Sequence, residues 1–165
     1  SLAVPLTPGP SGPGSSRDKK RRQAPHSALF PEPPRLDTRS MERPVTVAVV
    51  GGNPGARRGL VRRLEQMPGI SVVGQAADLD GALGMASERR PEVVVMDLRR
   101  IAPDGAESLG RLEGAAPRAG IVILTAYVTE QERADLTRAG ARAILLKEID
   151  SEALARAIRA VARPT

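Results

Sequence analysis

The chain has no cysteine, no tryptophan, a single tyrosine, a single phenylalanine and a single histidine. Without cysteine there is no disulfide framework and no thiolate metal site, and a reducing compartment fits. So few rings argue against a sandwich core built on large aromatics. They also leave little surface on which the bases of a single-stranded nucleic acid stack. No apolar run approaches the length that spans a bilayer, and no basic segment followed by a long apolar stretch opens the chain. The expectation is a soluble cytoplasmic protein with no membrane contact.

What is there divides unevenly. Of 165 residues and a net charge of +6, the first 43 residues hold eight of the 25 Lys/Arg and four of the 19 Asp/Glu. The remainder is close to balanced, so its high isoelectric point reflects abundant arginine rather than one basic patch. Nine of the fifteen prolines lie at or before Pro44, among Gly/Ser clusters and the run Arg17-Asp18-Lys19-Lys20-Arg21-Arg22. Such a segment cannot bury enough apolar surface to offset its ordering entropy, so residues 1–43 are expected to be a disordered leader. Its basic run suits either an anionic contact or simple solvation, and His26 has no partner nearby in sequence. Met41 offers an alternative start, the leader then being vector-derived or upstream sequence.

From Val45 onward the pattern alternates regularly, which places one domain in residues 44–165. Val45–Val50 is a β-branched run ending in Gly51-Gly52. Asn53 and Pro54 then supply an N-cap and a first helical residue, with Leu60, Leu64 and Met67 at helical spacing. Ile70–Val73, Glu92–Met96, Ile121–Leu124 and Ala143–Leu146 read as further strands. Between them lie helices opened by Asp78 or Asp80, near Ala106–Glu113, and at the capping box Thr129–Glu132. Asp150 caps a last helix with Leu154, Ile158 and Val161 on one face. Five strands alternating with five helices imply right-handed crossovers and an open parallel α/β sheet covered on both sides.

In such sheets reactive groups gather at the carboxyl ends of the strands. The residues there are Gly51-Gly52, Asp97, Thr125 and Lys147. A carboxylate, a hydroxyl and an ammonium converging at one edge suit phosphoryl chemistry, the carboxylate attacking phosphorus while the other two hold its oxygens.

The stretches Val95-Met96-Asp97-Leu98-Arg99, Asp104-Gly105, Leu124-Thr125-Ala126-Tyr127 and Ala139-Gly140-Ala141 through Lys147 resemble response-regulator receiver domains. The likeness is to the NarL/FixJ type of two-component response regulator and covers residues 45–163. It implies a CheY-like, flavodoxin-like (βα)5 fold with strand order 2-1-3-4-5, and a signalling module rather than an enzyme. By the same resemblance Asp97 matches the phosphoacceptor, Thr125 the hydroxyl that follows the phosphoryl group, and Lys147 the lysine that pairs with its oxygens. Arg99 matches the position whose backbone carbonyl helps hold Mg²⁺.

The chain departs from that pattern where receivers carry an acidic pair, since Gly51 and Gly52 stand there instead. Magnesium is usually held by one or two carboxylates with waters, and only Asp97 remains. No cofactor is therefore expected, Mg²⁺ being held weakly at most. Ile144 replaces the aromatic ring of many receivers, and Arg100-Ile101-Ala102-Pro103 forms an unusual loop. The reading is an atypical receiver signalling by protein contacts, with Mg²⁺-dependent phosphorylation of Asp97 impaired or absent. Its alternative is a conventional receiver, phosphorylated on Asp97 by a histidine kinase and controlling a transcriptional output. A third is small-molecule or nucleotide sensing through the Gly51-Gly52 loop. There Gly52 and Gly55 match the last glycines of a dinucleotide fingerprint, but Val50 stands at the first, and Gln75 stands where an acid belongs. Expected partners are a histidine kinase or other signalling protein and a second copy through the α4–β5–α5 face. Arg156, Arg159 and Arg163 are offered for pairing with acidic groups, and the domain itself is expected to make no nucleic-acid contact.

Overall fold

The computed structural model describes residues 43–98 and 104–162, together with Ala3. The chain divides into two units, Ser1–Thr38 and Arg39–Thr165, and the ten elements among the described residues lie in the second. These are β1 (Val45–Val50), α1 (Pro54–Glu65), β2 (Ile70–Ala76), α2 (Leu79–Arg89), β3 (Val93–Asp97), α3 (Gly105–Ala115), β4 (Gly120–Thr125), α4 (Glu130–Arg138), β5 (Ala141–Leu146) and α5 (Ser151–Ala162). The expected disorder of the leader, with His26 and the basic run, falls outside the described residues, as do Arg99, the loop through Pro103, and Arg163.

All strand pairings are parallel, in the order β2-β1-β3-β4-β5. This is the flavodoxin-like arrangement expected above. Alternate residues of each strand feed two separate cores. Ala48, Val50, Val94, Met96, Ile121 and Ile123 pack with Ala82, Leu109, Leu112 and Leu136 of α2, α3 and α4. Val47, Val49, Val93, Val95, Val122 and Leu124 pack with Leu64 of α1 and Leu154, Ile158 and Val161 of α5. With helices on both faces, the central strands β3 and β4 are buried at every residue, and so read as apolar runs up to Asp97 and Thr125 at their carboxyl ends.

The helix starts follow local chemistry. Asn53 accepts from the Ala56 N–H, Asp78 from Gly81 and Asp150 from Ala153. At α4 the full capping box forms, and the Thr129 N–H and hydroxyl hold the Glu132 carboxyl below its ordinary pKa.

Two strands outrun their sequence expectation by more than one residue at an end. β2 continues through Gly74 and Gln75 to Ala76, and β5 begins at Ala141 rather than Ala143. Both are edge strands, and each carries a register shift: Gly74 rather than Val73 pairs with Ala48, and Ala143 rather than Arg142 with Val122. A bulge breaks the apolar alternation and bends the edge, which is why the pattern concealed these residues.

Gly120 opens β4 against the last turn of α5. A Cβ there would lie 2.0 Å from Val161 Cγ1 and 2.8 Å from the Val161 carbonyl oxygen. Gly120→Ala should therefore cost about 2–3 kcal/mol by overpacking. At Gly110 in α3 an added Cβ meets nothing within 4 Å, so Gly110→Ala should gain about 0.5–1 kcal/mol from helix propensity. Urea unfolding of the two variants measures the contrast, and a neutral Gly120→Ala would contradict this packing.

Candidate functional site

The order of the strands sets where the site lies. From β1 the chain turns one way to β2 and then crosses to β3 on the other side, leaving a crevice outside the carboxyl ends of β1 and β3. Gly51 follows β1 and Asp97 ends β3, and the two face each other there. A Cβ on Gly51 would lie 3.5 Å from Asp97 Cβ.

Lys147 reaches this crevice from β5. Its backbone N–H donates to the Thr125 carbonyl at 2.9 Å, which carries the β4–β5 ladder one step past Leu146. Its ammonium then crosses the end of β4 and donates to Asp97 Oδ2 at 2.8 Å. The carboxylate is 13% exposed and the ammonium 36%, so the pair is partly screened by water. Of the three residues expected to converge, the structure brings Asp97 and Lys147 into contact. Thr125 is buried at the same edge but turned into its own loop, where its hydroxyl donates to the Tyr127 carbonyl at 2.8 Å. Tyr127 itself is exposed.

The Gly51-Gly52 step is occupied by the protein's own groups. The Gly51 N–H donates to the Ala76 carbonyl at 3.0 Å, and the Gly51 carbonyl accepts from Arg57 Nη1 at 2.6 Å. Arg57 Nε donates in turn to Gln75 Oε1 at 3.1 Å. The Asn53 side chain already takes the Ala56 N–H. Two of the donors that a phosphate cradle at this turn would use are thus engaged, which weakens the nucleotide-sensing alternative on structural grounds.

A receiver of the usual kind holds Mg²⁺ beside its acceptor Asp. Here the position facing Asp97 is glycine, and its carbonyl carries a guanidinium. Among the described residues no three Asp, Glu, His or Cys side chains cluster in a way that holds a metal. The residues present do not fit that ion. Arg99, the expected carbonyl ligand, lies outside the described residues.

Sequence reasoning passed over Arg57, because its partner Gln75 is 18 residues further on and only the β1–β2 pairing brings them together. It also assigned Arg159 to the α4–β5–α5 face. The structure instead has Arg159 donating to the Pro68 carbonyl beyond the end of α1, the helix that shares α5's side of the sheet. Ile144 is half-buried in β5 and packs against the core formed with α2, α3 and α4.

The sequence matches the response regulator receiver domain family over residues 47–159. The chain belongs to this family. It is 36% identical over 120 residues to the nitrate/nitrite response regulator protein NarP of Escherichia coli, covering 73% of this chain and 56% of NarP. It is 34% identical over 117 residues to the DNA-binding transcriptional activator DevR/DosR of Mycobacterium tuberculosis, covering 71% and 54% of the two chains. The receiver thus spans about half the length of these curated relatives. Among solved structures, a two-component response regulator of the LuxR family from an Aurantimonas species superposes with a TM-score of 0.66 at 31% identity, over 72% of this chain and 85% of that one. The signal receiver domain of NarL from Mycobacterium tuberculosis gives 0.68 at 25% identity, over 74% and 99%. This receiver is therefore of the NarL/LuxR type.

A partly exposed ion pair contributes less than a dry one. A double-mutant cycle of Asp97→Asn and Lys147→Gln should give a coupling of about 1–2 kcal/mol in denaturant unfolding. Additive single effects would contradict the contact described.

Proposed function

We propose that this receiver is the input module of a transcriptional response regulator, a signalling domain switched at Asp97 and not an enzyme. The functional module is taken as residues 44–165, with the leader outside it. The observation that carries the reading is the Asp97–Lys147 contact at the β1/β3 crevice, with Thr125 at the same edge. The kinship with NarP and DevR/DosR supports transcription as the output. No helix among the described residues is long and apolar enough to cross a membrane, which suits a cytoplasmic setting.

In the conventional form, a histidine kinase is the partner. An Asp97 carboxylate oxygen bonds to phosphorus as the phosphorus–nitrogen bond of the donor breaks, and the Lys147 ammonium leaves the bare carboxylate for the phosphoryl oxygens. Thr125 then exchanges the Tyr127 carbonyl for one of those oxygens. Tyr127 and Leu146, the exposed large hydrophobic residues among those described, lie in the β4–α4 loop and at the end of β5. Their exposure there supports a second copy or an output partner meeting the α4–β5–α5 face.

Gly51 favours a second form. An anionic nucleophile attacking an anionic donor needs its charge neutralised, and the acidic ligands for a divalent ion are absent opposite Asp97. Electrostatic contributions of several kcal/mol are then missing from the transition state, slowing transfer by orders of magnitude. In this form the module signals by protein contact, and the Asp97–Lys147 pair holds the loops together.

Intact-mass measurement after incubation with acetyl phosphate and Mg²⁺ separates the two. A stoichiometric phosphoryl adduct that Asp97→Asn abolishes is the result expected of the conventional form. An unmodified mass, with Asp97→Asn altering stability only, is the result expected of the contact-signalling form. Phosphorylation at a residue other than Asp97 would sink the assignment of the switch.

A further inference from the structure

A cavity of about 250 Å³ opens between α1 and the carboxyl ends of β3 and β4. Ala56, Gly59, Leu60 and Arg63 line it from α1, and Leu124, Asp97 and Lys147 from the sheet. None of the Gly51-Gly52 backbone contributes, so this space is separate from the turn considered above for nucleotides.

Three features give it a chemistry. Its body is apolar, with Leu60 and Ala56 on the α1 wall and Leu124 on the sheet wall. The helix wall is kept low by Gly59, where an added Cβ would meet nothing within 4 Å. No neighbouring atom requires glycine there, and glycine inside a helix is less stable than alanine. The third feature is Arg63. Its Nε donates to Ser151 Oγ at 2.9 Å and its Nη2 to the Ile149 carbonyl, both neutral acceptors, and it has no acidic partner among the described residues. A guanidinium carries five N–H donors in a fixed fork, so three remain after those two bonds. Lys147, by contrast, is matched by Asp97. The cavity therefore presents one half-buried cation whose charge no described residue balances.

We propose that this cavity binds a small organic monoanion, with an aromatic or branched aliphatic body lodged between Leu60 and Leu124 and its carboxylate on the Arg63 fork. The size agrees, since roughly 150 Å³ of apolar cavity is enough to accept a benzene ring. A planar carboxylate suits the guanidinium better than a point-like anion, because two parallel N–H bonds fix its orientation. Bound there, the ligand touches the wall formed by Asp97 and Lys147, so it would bias the same pair without any phosphoryl transfer. The site stands whether or not Asp97 is ever phosphorylated.

Benzoate is a suitable probe, with benzyl alcohol as its neutral counterpart. Titrated into the full chain and followed by ¹H–¹⁵N NMR, benzoate should give saturable shifts at Gly59, Leu60, Arg63 and Lys147. Benzyl alcohol should bind at least tenfold more weakly. Arg63→Gln should lose at least tenfold in affinity. Gly59→Leu, which fills the space and favours the helix, should lose binding altogether while keeping the parent's thermal stability. Should Arg63→Gln unfold through loss of its bonds to Ile149 and Ser151, Gly59→Leu still decides the matter. Non-saturating shifts, equal affinity for benzyl alcohol, or undiminished binding in Gly59→Leu would each overturn the proposal.

Discussion

The Lys147 ammonium lies across the end of β4 on the carboxylate of Asp97, and the rest of the carboxyl edge depends on that contact. It joins the ends of β3 and β5, which are not neighbours in the sheet, and it spans the Thr125 position between them. The joint is possible because parallel strands in register bring their last residues to one edge. Leu124 pairs with Asp97, Leu146 with Thr125, and Lys147 then follows one step further on. A cation on a flexible four-carbon stem suits this position, because the stem passes over an apolar strand end and only the head group requires a partner.

Charge around Asp97 explains the remainder of the pocket. A usual receiver balances its acidic cluster with a divalent ion, whereas here the described residues put one carboxylate, Asp97, near the cationic side chains of Lys147, Arg57 and Arg63. Lys147 meets Asp97, and Arg57 turns to the Gly51 carbonyl and Gln75. With glycine opposite Asp97, the crevice needs no metal to offset clustered negative charge, and it offers little to bind one. The arrangement is consistent with itself: removing the acids removes both the demand for the ion and the means of holding it. Arg63, further along α1, is a cation with no acidic partner among the described residues, and it borders the cavity next to the pair.

The central strands and the helix caps were open to sequence reasoning because their causes are local. Val93–Met96 and Ile121–Leu124 are apolar throughout since both faces are covered, and Asn53, Asp78, Thr129 and Asp150 precede their helices in sequence. The edge strands were harder, because the bulges at Val73 and Arg142 arise from pairing with β1 and β4 and leave no periodic trace. In the site, Asp97 and Lys147 could be placed at one edge from topology alone. The turn of Thr125 toward Tyr127 could not, since a hydroxyl's partner is a matter of rotamer. Arg57, Arg63 and Arg159 stayed hidden for a simpler reason. Arginines are abundant in this chain, and only contacts far apart in sequence distinguish those that hold the site from those that face water.

The central claim is that a pocket with glycine opposite Asp97 is electrostatically complete without a divalent ion. Magnesium titration followed by ¹H–¹⁵N NMR tests it most directly, on the full chain and on a Gly51→Asp/Gly52→Asp variant. No saturable shift is expected at Gly51, Asp97 or Lys147 in the unaltered chain, and millimolar binding should appear when the two carboxylates are supplied. Saturable magnesium binding in the unaltered chain, lost in Asp97→Asn, would contradict it.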